Sequence, residues 1–441
     1  MFRVNIISLG CAKNLVDSEV MAGILRDSGY VISTSEKDAD ILVVNTCGFI
    51  DAAREESIEA ILSAARFKDG NCKALIVTGC MAQRYKDELL AEIPEIDGLV
   101  GTGEIPGLIK TIQEALQGKK PVRVGTPSFI YDDKTSRILR TPNYTAYVKI
   151  AEGCNNRCAY CAIPEIRGEY RSRTVESITA ETRGLAGKGV REVNLIAQDT
   201  TRYGLDLYGE YKLDELLREL VDVEELFWIR LLYAYPTRFT DKLIDIIAGH
   251  DKICRYLDIP LQHADDRILR AMNRQGTCAD IFKLIVKLRK NIPDLALRTS
   301  MIVGFPGETE ESFGILTDFV KTVRFDRMGV FTYSPEEGTP AVDMPGQVPD
   351  EVKEERKDRL MEIQQEISLD KNREKVGEII SVLVEGKVEN EKEIYVGRTE
   401  ADAPEVDGNI LISGNGLQPG DIVTVRVTHA YEYDLIGEVA K

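Results

Sequence analysis

The first third of the chain alternates short apolar runs with stretches of helical periodicity. Three β-branched runs predict strands at Val4 to Leu9, Ile41 to Asn45 and Ala74 to Gly79. The stretches after them predict helices at Leu15 to Ser28, Ile50 to Phe67 and Ala82 to Glu92. Strands that alternate with helices favour a parallel sheet with helices on its faces. We therefore expect a parallel-sheet domain over residues 1–135.

A second alternating series follows a linker near residues 126–141. Its strand candidates begin near Ala146, Val193, Trp228, Tyr256, Leu297 and Met328. Helical stretches separate them, such as Val175 to Lys188 and Asp280 to Lys290. Six β/α units in succession predict an open, partial TIM-type (βα)6 barrel over residues 140–347. Ligand sites of such folds lie at the C-terminal ends of the strands.

The pattern changes once more near the end of the chain. Residues 348–375 are charged and contain no glycine, which predicts a connecting helix. Short alternating runs then predict strands at Ile379 to Val384, Ile394 to Arg398, Asn409 to Ile412 and Ile422 to Thr428. Glycines separate these runs, so residues 376–441 are expected to form a small antiparallel β-barrel. The fold class is α/β, beginning with a Rossmann or flavodoxin-like sheet.

Composition and charge narrow the class of protein. The chain has 441 residues, of which 43% are hydrophobic and 29% are charged, as in soluble globular proteins of two or three domains. It has no apolar run as long as a membrane span and no signal-peptide pattern, so we expect a cytoplasmic protein without a membrane partner. The net charge of −17 favours a basic partner over nucleic acid.

Three of the nine cysteines form a CxxxCxxC motif just after the first strand of the predicted barrel. Cys154, Cys158 and Cys161 can ligate three irons of a 4Fe-4S cluster and leave the fourth iron without a protein ligand. An open iron can chelate the amino and carboxylate groups of S-adenosylmethionine, whose cleavage gives a 5′-deoxyadenosyl radical. A structural zinc site would need a fourth ligand, usually from a second CxxC pair. The motif therefore indicates a radical S-adenosylmethionine enzyme.

A second set of cysteines follows the three strands of the first domain. Cys11, Cys47 and Cys80 are each separated from the next by about one β/α unit. Residues at the C-terminal ends of parallel strands meet at one edge of the sheet, so a second three-cysteine cluster site is expected. The alternative is three buried thiols that act as small hydrophobic side chains. The remaining cysteines share no such position and are expected to be structural: Cys72, Cys254 and Cys278.

With these motifs in this order, the whole chain resembles the radical-SAM methylthiotransferases. The resemblance implies an N-terminal domain in which Cys11, Cys47 and Cys80 hold an auxiliary 4Fe-4S cluster. It further implies a radical-SAM barrel, in which the CxxxCxxC cysteines hold the cluster that cleaves S-adenosylmethionine, and a C-terminal TRAM barrel. The expected cofactors are thus two 4Fe-4S clusters and S-adenosylmethionine.

The family has a branch that modifies adenosine derivatives in tRNA and a RimO-type branch that modifies an aspartate of small-subunit ribosomal protein twelve. Three stretches resemble the RimO type: SLGCAKNLVDSE at Ser8 to Glu19, AQDTTRYG at Ala197 to Gly204, and PLQH at Pro260 to His263. The tRNA branch typically has Gln-Met-Asn after the first cysteine, and tends to have Gly-Gln-Asn and Gln-Ser-Gly at the other two places. Ala12 replaces the proline common in the first motif.

The charge of the last domain favours the same branch. Residues 376–441 contain 13 Asp and Glu but 5 Lys and Arg. A barrel that binds tRNA should present basic residues to the phosphates, whereas an acidic barrel favours binding of a basic protein. The alternative is that these acids only keep the surface soluble.

Further site residues are suggested by their places in the motifs. Tyr160 resembles the aromatic residue beside the adenine in radical-SAM enzymes, and Gly304 could let the backbone approach the cofactor. Gln198, with Asp199 and His263, is expected at strand ends that face the active centre. Packing or ordinary hydrogen bonding would also explain these residues. An arginine group is a weaker candidate for binding a carboxylate, because such runs are more often solvated: Arg167, Arg171 and Arg173.

The sequence thus predicts a methylthiotransferase that acts on the β-carbon of an aspartate in a basic ribosomal protein and uses an external electron donor. The rival enzyme is a tRNA adenosine methylthiotransferase, although tRNA is not the expected partner. A rival of another class is an iron–sulfur protein that binds RNA or the ribosome without catalysis. No residue is assigned to catalysis beyond the cofactor ligands.

Overall fold

A computed structural model describes residues 1–440, and its N-terminal part is a six-stranded parallel sheet. The strands are β1 Arg3–Ser8, β2 Val31–Ile32, β3 Ile41–Thr46, β4 Ala74–Gly79, β5 Gly98–Val100 and β6 Val122–Arg123. The helices are α1 Ala12–Asp27, α2 Asp51–Ala65, α3 Cys80–Arg84, α4 Lys86–Glu92 and α5 Leu108–Ala115. The strand order β2-β1-β3-β4-β5-β6 reverses direction between β1 and β3, as in flavodoxin-like sheets.

The parallel fold expected for this part is confirmed, but the structure differs from the predicted elements in two details. The single helix predicted over Ala82 to Glu92 is two helices, because the chain leaves helical geometry at Tyr85. Strands β2, β5 and β6 were not predicted, since runs of two or three residues carry too little of the alternating pattern.

The central part is an open barrel-like sheet of six parallel strands in the order β14-β13-β12-β11-β10-β7. The strands of this part are β7 Thr145–Lys149, β8 Ala151–Glu152, β9 Arg171–Ser172, β10 Glu192–Ile196, β11 Trp228–Leu231, β12 Ile253–Asp258, β13 Ala296–Val303 and β14 Arg327–Thr332. Strands β8 and β9 form a separate two-stranded antiparallel sheet. The six predicted parallel strands are confirmed.

Helices cover the outer face of this sheet, and single turns of 3-10 helix join other elements. The helices are α6 Ile163–Arg167, α7 Val175–Ala186, α8 Leu205–Tyr208, α9 Leu213–Val221, α10 Asp241–Gly249, α11 Asp266–Ala271, α12 Cys278–Asn291 and α13 Glu310–Val323. The 3-10 turns are Arg66–Asp69, Ile105–Gly107, Thr200–Arg202, Pro236–Arg238 and Pro340–Asp343. Within residues 1–440, no helix is both long enough and apolar enough to cross a bilayer.

Helix α14, Asp350–Glu374, does more than connect two domains. It packs against α13 and β14, and its Leu360 and Ile367 are buried in the apolar core of the central sheet. Arg356 of this helix forms an ion pair of 2.8 Å with the buried carboxylate of Glu308. The helix therefore closes the β14 side of the central sheet.

The C-terminal part is a closed five-stranded barrel in the order β15-β16-β17-β19-β18. Its strands are β15 Ile379–Lys387, β16 Ile394–Thr399, β17 Ile410–Ser413, β18 Ile422–Ala430 and β19 Leu435–Val439. The four predicted strands are present, and the fifth, β19, completes the barrel. Neighbouring strands are antiparallel except β17 and β19, whose pairing is parallel.

The connection between β16 and β17 inserts into the central sheet at the end where β10 and β14 begin. Within the connection, Asp402 forms a buried ion pair of 2.6 Å with Arg327. Near the end of β16, Arg398 forms one of 2.7 Å with Glu192. Asp407 forms an ion pair of 3.2 Å with Arg298 and accepts a hydrogen bond of 2.7 Å from the hydroxyl of Tyr256. Two of the acidic residues counted for this domain therefore neutralise arginines of the central sheet and are not part of a free surface.

Candidate active site

The three N-terminal cysteines lie at the C-terminal ends of adjacent strands. Cys11 precedes α1 after β1, Cys47 follows β3, and Cys80 begins α3 directly after β4. Gly10 has a φ of +81°, and a Cβ at that position would lie 2.8 Å from the Cβ of Cys47. Glycine is therefore needed where the Cys11 loop approaches Cys47. The structure brings together the three residues that the sequence predicted at this edge.

These thiols interact electrostatically with one another and with nearby cations. Burial raises the pKa of Cys80 to about 11, although Arg167 opposes the shift. Burial also raises the pKa of Cys47. For Cys11, desolvation is outweighed by the attraction of Lys13 and Arg167, which lowers the pKa of its thiol. Buried thiols of this kind are deprotonated when they bind a metal.

The CxxxCxxC loop lies between β8 and α6 and is held by residues that follow two strands of the central sheet. The amide of Asn156 donates a hydrogen bond of 2.9 Å to Asp199, which lies beyond β10. Arg238, beyond β11, donates to the carboxylate of Asp199 and to the carbonyl of the Asn156 side chain, each at 2.7 Å. Burial raises the pKa of Cys154 to about 11. The loop is thus fixed at the C-terminal side of the sheet, as predicted.

A second arginine braces the other end of this loop. Arg274 donates hydrogen bonds to the carbonyl of Pro260 at 2.5 Å and to the hydroxyl of Tyr160 at 3.2 Å. Its guanidinium also lies 3.9 Å from the Sγ of Cys158. Tyr160 is therefore held in a fixed position beside the predicted iron ligands.

A buried network of charges lies between the two sets of cysteines. Asp17 of α1 pairs with Lys149 at 2.5 Å and with Arg167 at 2.6 Å. Glu152 pairs with the same two cations at 2.6 Å and 3.3 Å. Burial opposes ionisation of Glu152, but Lys149 and Arg167 hold the pKa of this carboxyl well below its ordinary range. Two acids and two bases compensate one another, as buried charges require.

This network reaches Cys80 of the N-terminal set directly and extends to Gln198 beyond β10. Arg167 lies 3.4 Å from the Sγ of Cys80 and also donates to the side chain of Asn14, whose amide donates to the carbonyls of Leu9 and Thr46. On the other side, Gln198 donates a hydrogen bond of 2.6 Å to Glu152.

Gln198 also carries an unused acceptor. Its Oε1 is buried and has no hydrogen-bond partner among residues 1–440. A buried amide oxygen without a partner is costly, so it indicates a donor that a ligand would supply. This feature fits the prediction that Gln198 contributes to binding S-adenosylmethionine.

The structure gives Gly304 and His263 roles in packing. A Cβ at Gly304 would overlap the Cγ of Lys353 on α14, and the backbone N–H of Gly304 donates to Glu308. His263 is fully buried with its Nε2 3.3 Å from Glu308 and its Nδ1 accepting from the backbone of Asp265. Cofactor contact by Gly304 stays a prediction.

The structure also shows how far the remaining cysteines and the arginine group are buried. Cys72 and Cys254 are buried among apolar side chains, as expected for structural thiols, and Cys278 is half-buried. The interpretation of the arginine group as a solvated face is wrong for two of its members. Arg167 and Arg173 are buried, and Arg173 forms an ion pair of 2.5 Å with Glu181.

Sequence reasoning missed most of the network, although part of the signal was present. Asn14 and Asp17 stand in the same motif as Cys11, and their polar side chains on an otherwise buried helix face were a sign of a specific role. The other missed residues bear no motif of their own: Lys149, Glu152, Arg238 and Arg274.

The chemistry of the donor sets suits iron–sulfur clusters. Each set offers three thiols and leaves one position open, and thiolates are the protein ligands of 4Fe-4S clusters. Among residues 1–440, no group of three Cys, His, Asp or Glu side chains is close enough together to bind a single metal ion. A cubane cluster does not require such convergence, because each thiolate binds a different iron.

Three family models match successive parts of the chain. The Radical SAM superfamily matches residues 148–320, the TRAM domain matches residues 376–440, and the uncharacterized protein family UPF0004 matches residues 3–101. Among solved structures, a radical S-adenosylmethionine methyltransferase, TsrM from Kitasatospora setae with cobalamin and a [4Fe-4S] cluster, has a TM-score of 0.57 at 17% identity, covering 77% of this chain and 73% of that one. The cobalamin-dependent radical enzyme OxsB has a TM-score of 0.51 at 13% identity, covering 83% and 56%. These likenesses concern the fold.

Curated relatives match over the full length. A ribosomal protein uS12 methylthiotransferase RimO from Desulforamulus reducens is 56% identical, with 100% of both chains covered. Its counterpart from Pelotomaculum thermopropionicum is 55% identical, with 99% of both chains covered, and that from Heliobacterium modesticaldum is 53% identical, with 99% and 95% covered. The chain therefore belongs to the family of ribosomal protein uS12 methylthiotransferases, the RimO type of radical-SAM enzyme.

Proposed function

We propose that this protein attaches a methylthio group to the β-carbon of an aspartate in ribosomal protein uS12. The observation that carries the proposal is the pair of three-cysteine sets, one at the ends of three parallel strands and one in a single loop at the C-terminal side of the central sheet, with a buried network joining the two sheets. The full-length relatives named for uS12 methylthiolation support this choice of substrate.

The cofactor assignment follows the two sets. Cys154, Cys158 and Cys161 would hold the cluster that binds S-adenosylmethionine, with Tyr160, Gln198 and Gly304 beside that cofactor. The auxiliary cluster would be held by Cys11, Cys47 and Cys80. When bound, these groups supply a radical able to remove a hydrogen from an unactivated carbon, and the methylthio group that replaces it.

The side chains of the protein fix the geometry that this chemistry needs. Asp199 and Arg238 hold the loop of the first cluster. Arg167, which pairs with Asp17 and Glu152, lies 3.4 Å from the Sγ of Cys80. Because the network is buried and its charges are compensated, it joins the N-terminal and central sheets through fixed ion pairs. A fixed connection of this kind keeps the reacting groups at a constant separation.

The substrate is proposed to be a basic protein rather than tRNA. Even without the buried Asp402 and Asp407, acidic residues still outnumber basic ones in the C-terminal barrel. Such a surface attracts a basic ribosomal protein and repels phosphates. The proposal includes an external electron donor and a cytoplasmic location.

The domain division belongs to the same proposal. Residues 1–135 would form the domain of the auxiliary cluster, and residues 140–347 the radical-SAM domain. The connecting helix over residues 348–375 would lead to the TRAM barrel over residues 376–441.

Anaerobic reconstitution followed by mass spectrometry tests the proposal. The reconstituted protein should hold about eight irons per chain and form 5′-deoxyadenosine from S-adenosylmethionine. It should then add a methylthio group to uS12 and leave tRNA unmodified. A methylthio adduct on tRNA alone would establish the rival enzyme. Iron binding without any cleavage of S-adenosylmethionine would instead support the alternative of an iron–sulfur protein that binds RNA or the ribosome without catalysis.

A further inference from the structure

Lys13 is a buried cation that reaches from the N-terminal sheet to the central sheet. It lies in the first turn of α1, two residues after Cys11, and 9% of it is exposed. Its Nζ stands 3.1 Å from the centre of the Tyr233 ring. Tyr233 follows β11, so the ammonium group lies at the C-terminal side of the central sheet, where ligand sites of such sheets are found.

The backbone of Tyr233 is held in an unusual conformation at this contact. Its φ is +61°, a value that non-glycine residues rarely adopt, and its N–H donates a hydrogen bond of 3.1 Å to Asp258. Asp258 is itself engaged by Arg298 at 3.3 Å. The ring is thus fixed under the ammonium group, and strained backbone of this kind is concentrated at functional sites.

The ammonium group donates no hydrogen bond. Among residues 1–440, the Nζ of Lys13 also lies within ion-pair distance of no carboxylate. The Cys11 thiolate attracts it most strongly, followed by Glu152 and Asp258, whose carboxylates are already paired with other cations. A largely buried ammonium group that donates no hydrogen bond is unfavourable, and a bound carboxylate would accept one.

We propose that Lys13 binds the side-chain carboxylate of the substrate aspartate and selects an aspartyl over an uncharged residue. The inference rests on the proposed function and adds the residue that recognises the substrate. The anion would enter beside Cys11, with the ring of Tyr233 fixing the ammonium group opposite to it. One charge-assisted hydrogen bond then places the β-carbon, the atom next to the carboxylate, between the two cysteine sets.

Binding and turnover of the reconstituted full-length enzyme test this inference. The substrates are uS12 and a uS12 variant in which the target aspartate is replaced by asparagine. The enzyme variants are Lys13→Met and Lys13→Arg, with Lys110→Met on the exposed side of α5 as a matched control. Affinity is measured by fluorescence anisotropy before turnover, and iron content and uncoupled 5′-deoxyadenosine formation are measured in parallel.

Lys13→Met should weaken binding of the aspartate form by about 10- to 100-fold and leave binding of the asparagine form unchanged. Lys13→Arg should keep the preference for aspartate, and the control should match the original enzyme. Iron content should be the same in all of them. Equal affinity of Lys13→Met and the original enzyme for the aspartate form would overturn the inference.

A purely structural role of Lys13 would give a different result and would also overturn the inference. In that case Lys13→Met and Lys13→Arg would both lose iron, or binding of the aspartate and asparagine forms would weaken equally. If the original enzyme cleaves S-adenosylmethionine but modifies no form of uS12, the proposed function fails, and this inference with it. That outcome is visible before any variant is compared.

Discussion

The guanidinium of Arg167, on the helix that follows the CxxxCxxC loop, lies 3.4 Å from the Sγ of Cys80, which begins a helix of the N-terminal sheet. The two residues are 87 positions apart, and their helices follow strands of different sheets. Hydrogen bonds to the sulfurs and nearby positive charge raise the reduction potential of iron–sulfur clusters. Arg167 is thus placed to tune the proposed auxiliary cluster from the neighbouring domain.

Replacement of Arg167 should shift the potential of one cluster only. Arg167→Met removes both the hydrogen bond to Cys80 and a positive charge, so the midpoint potential of the auxiliary cluster should fall. The other cluster should keep its potential. A redox titration followed by electron paramagnetic resonance measures both. Arg183→Met, on the exposed side of α7, is the control and should shift neither. An unchanged auxiliary potential in Arg167→Met would contradict the expectation.

The cysteine sets should be separable by iron analysis. Cys47→Ala should lower the iron content from about eight to about four per chain and retain cleavage of S-adenosylmethionine. Cys158→Ala should lose the same amount of iron and all cleavage. Cys278→Ala, a half-buried thiol outside both sets, should retain both properties. Loss of cleavage in Cys47→Ala with its remaining irons intact would show that the two sets do not act separately.

The network between the sites should contribute strongly to stability. Asp17→Asn leaves Lys149 and Arg167 with Glu152 as their shared anion, which should cost about 3–5 kcal/mol of unfolding free energy. Thermal unfolding of the anaerobic protein measures the change. Asp27→Asn, at the exposed end of the same helix, should leave the stability nearly unchanged. Similar losses in the two variants would argue against a special role for the network.

Docking of the C-terminal barrel should depend on pH through Glu192. Burial disfavours the ionised form, but Arg398 and Arg230 hold the pKa of Glu192 at about 2, below its ordinary value of 4.5. Because the folded-state pKa is depressed, the stabilisation by the ionised carboxylate is complete above about pH 4.5 and is lost as the pH falls towards 2.

Fluorescence of Trp228 can follow that loss. It is the single tryptophan of the chain and shares an apolar core with Ala401 and Ala403 of the inserted connection. An acid titration should show the change between about pH 4.5 and 2. Glu192→Gln should show weakened docking already at neutral pH, while Glu225→Gln, an exposed control, should follow the original protein. An identical titration for Glu192→Gln would exclude Glu192 as the origin.

Local patterns were sufficient for the framework of the fold. The β-branched runs that became β3 and β4 are fully buried, so their hydrophobicity was unambiguous. The same reasoning failed for β19, where Leu435 and Gly437 are buried, their neighbours are half-buried or exposed, and the run is short. It also failed for the end of α3, because a break at Tyr85 depends on local backbone geometry that no periodicity encodes.

The sequence by itself determined where the six cysteines would stand, since spacing along alternating strands and helices sets which residues lie at the strand ends. Only the tertiary structure decided which side chains form the buried network beside these cysteines. Asp17 and Lys149 are 132 positions apart, and nothing in either local sequence specifies the other as its partner. Burial makes the choice, because a charge removed from water must find its counter-ion within hydrogen-bonding distance, and only the folded chain places one there.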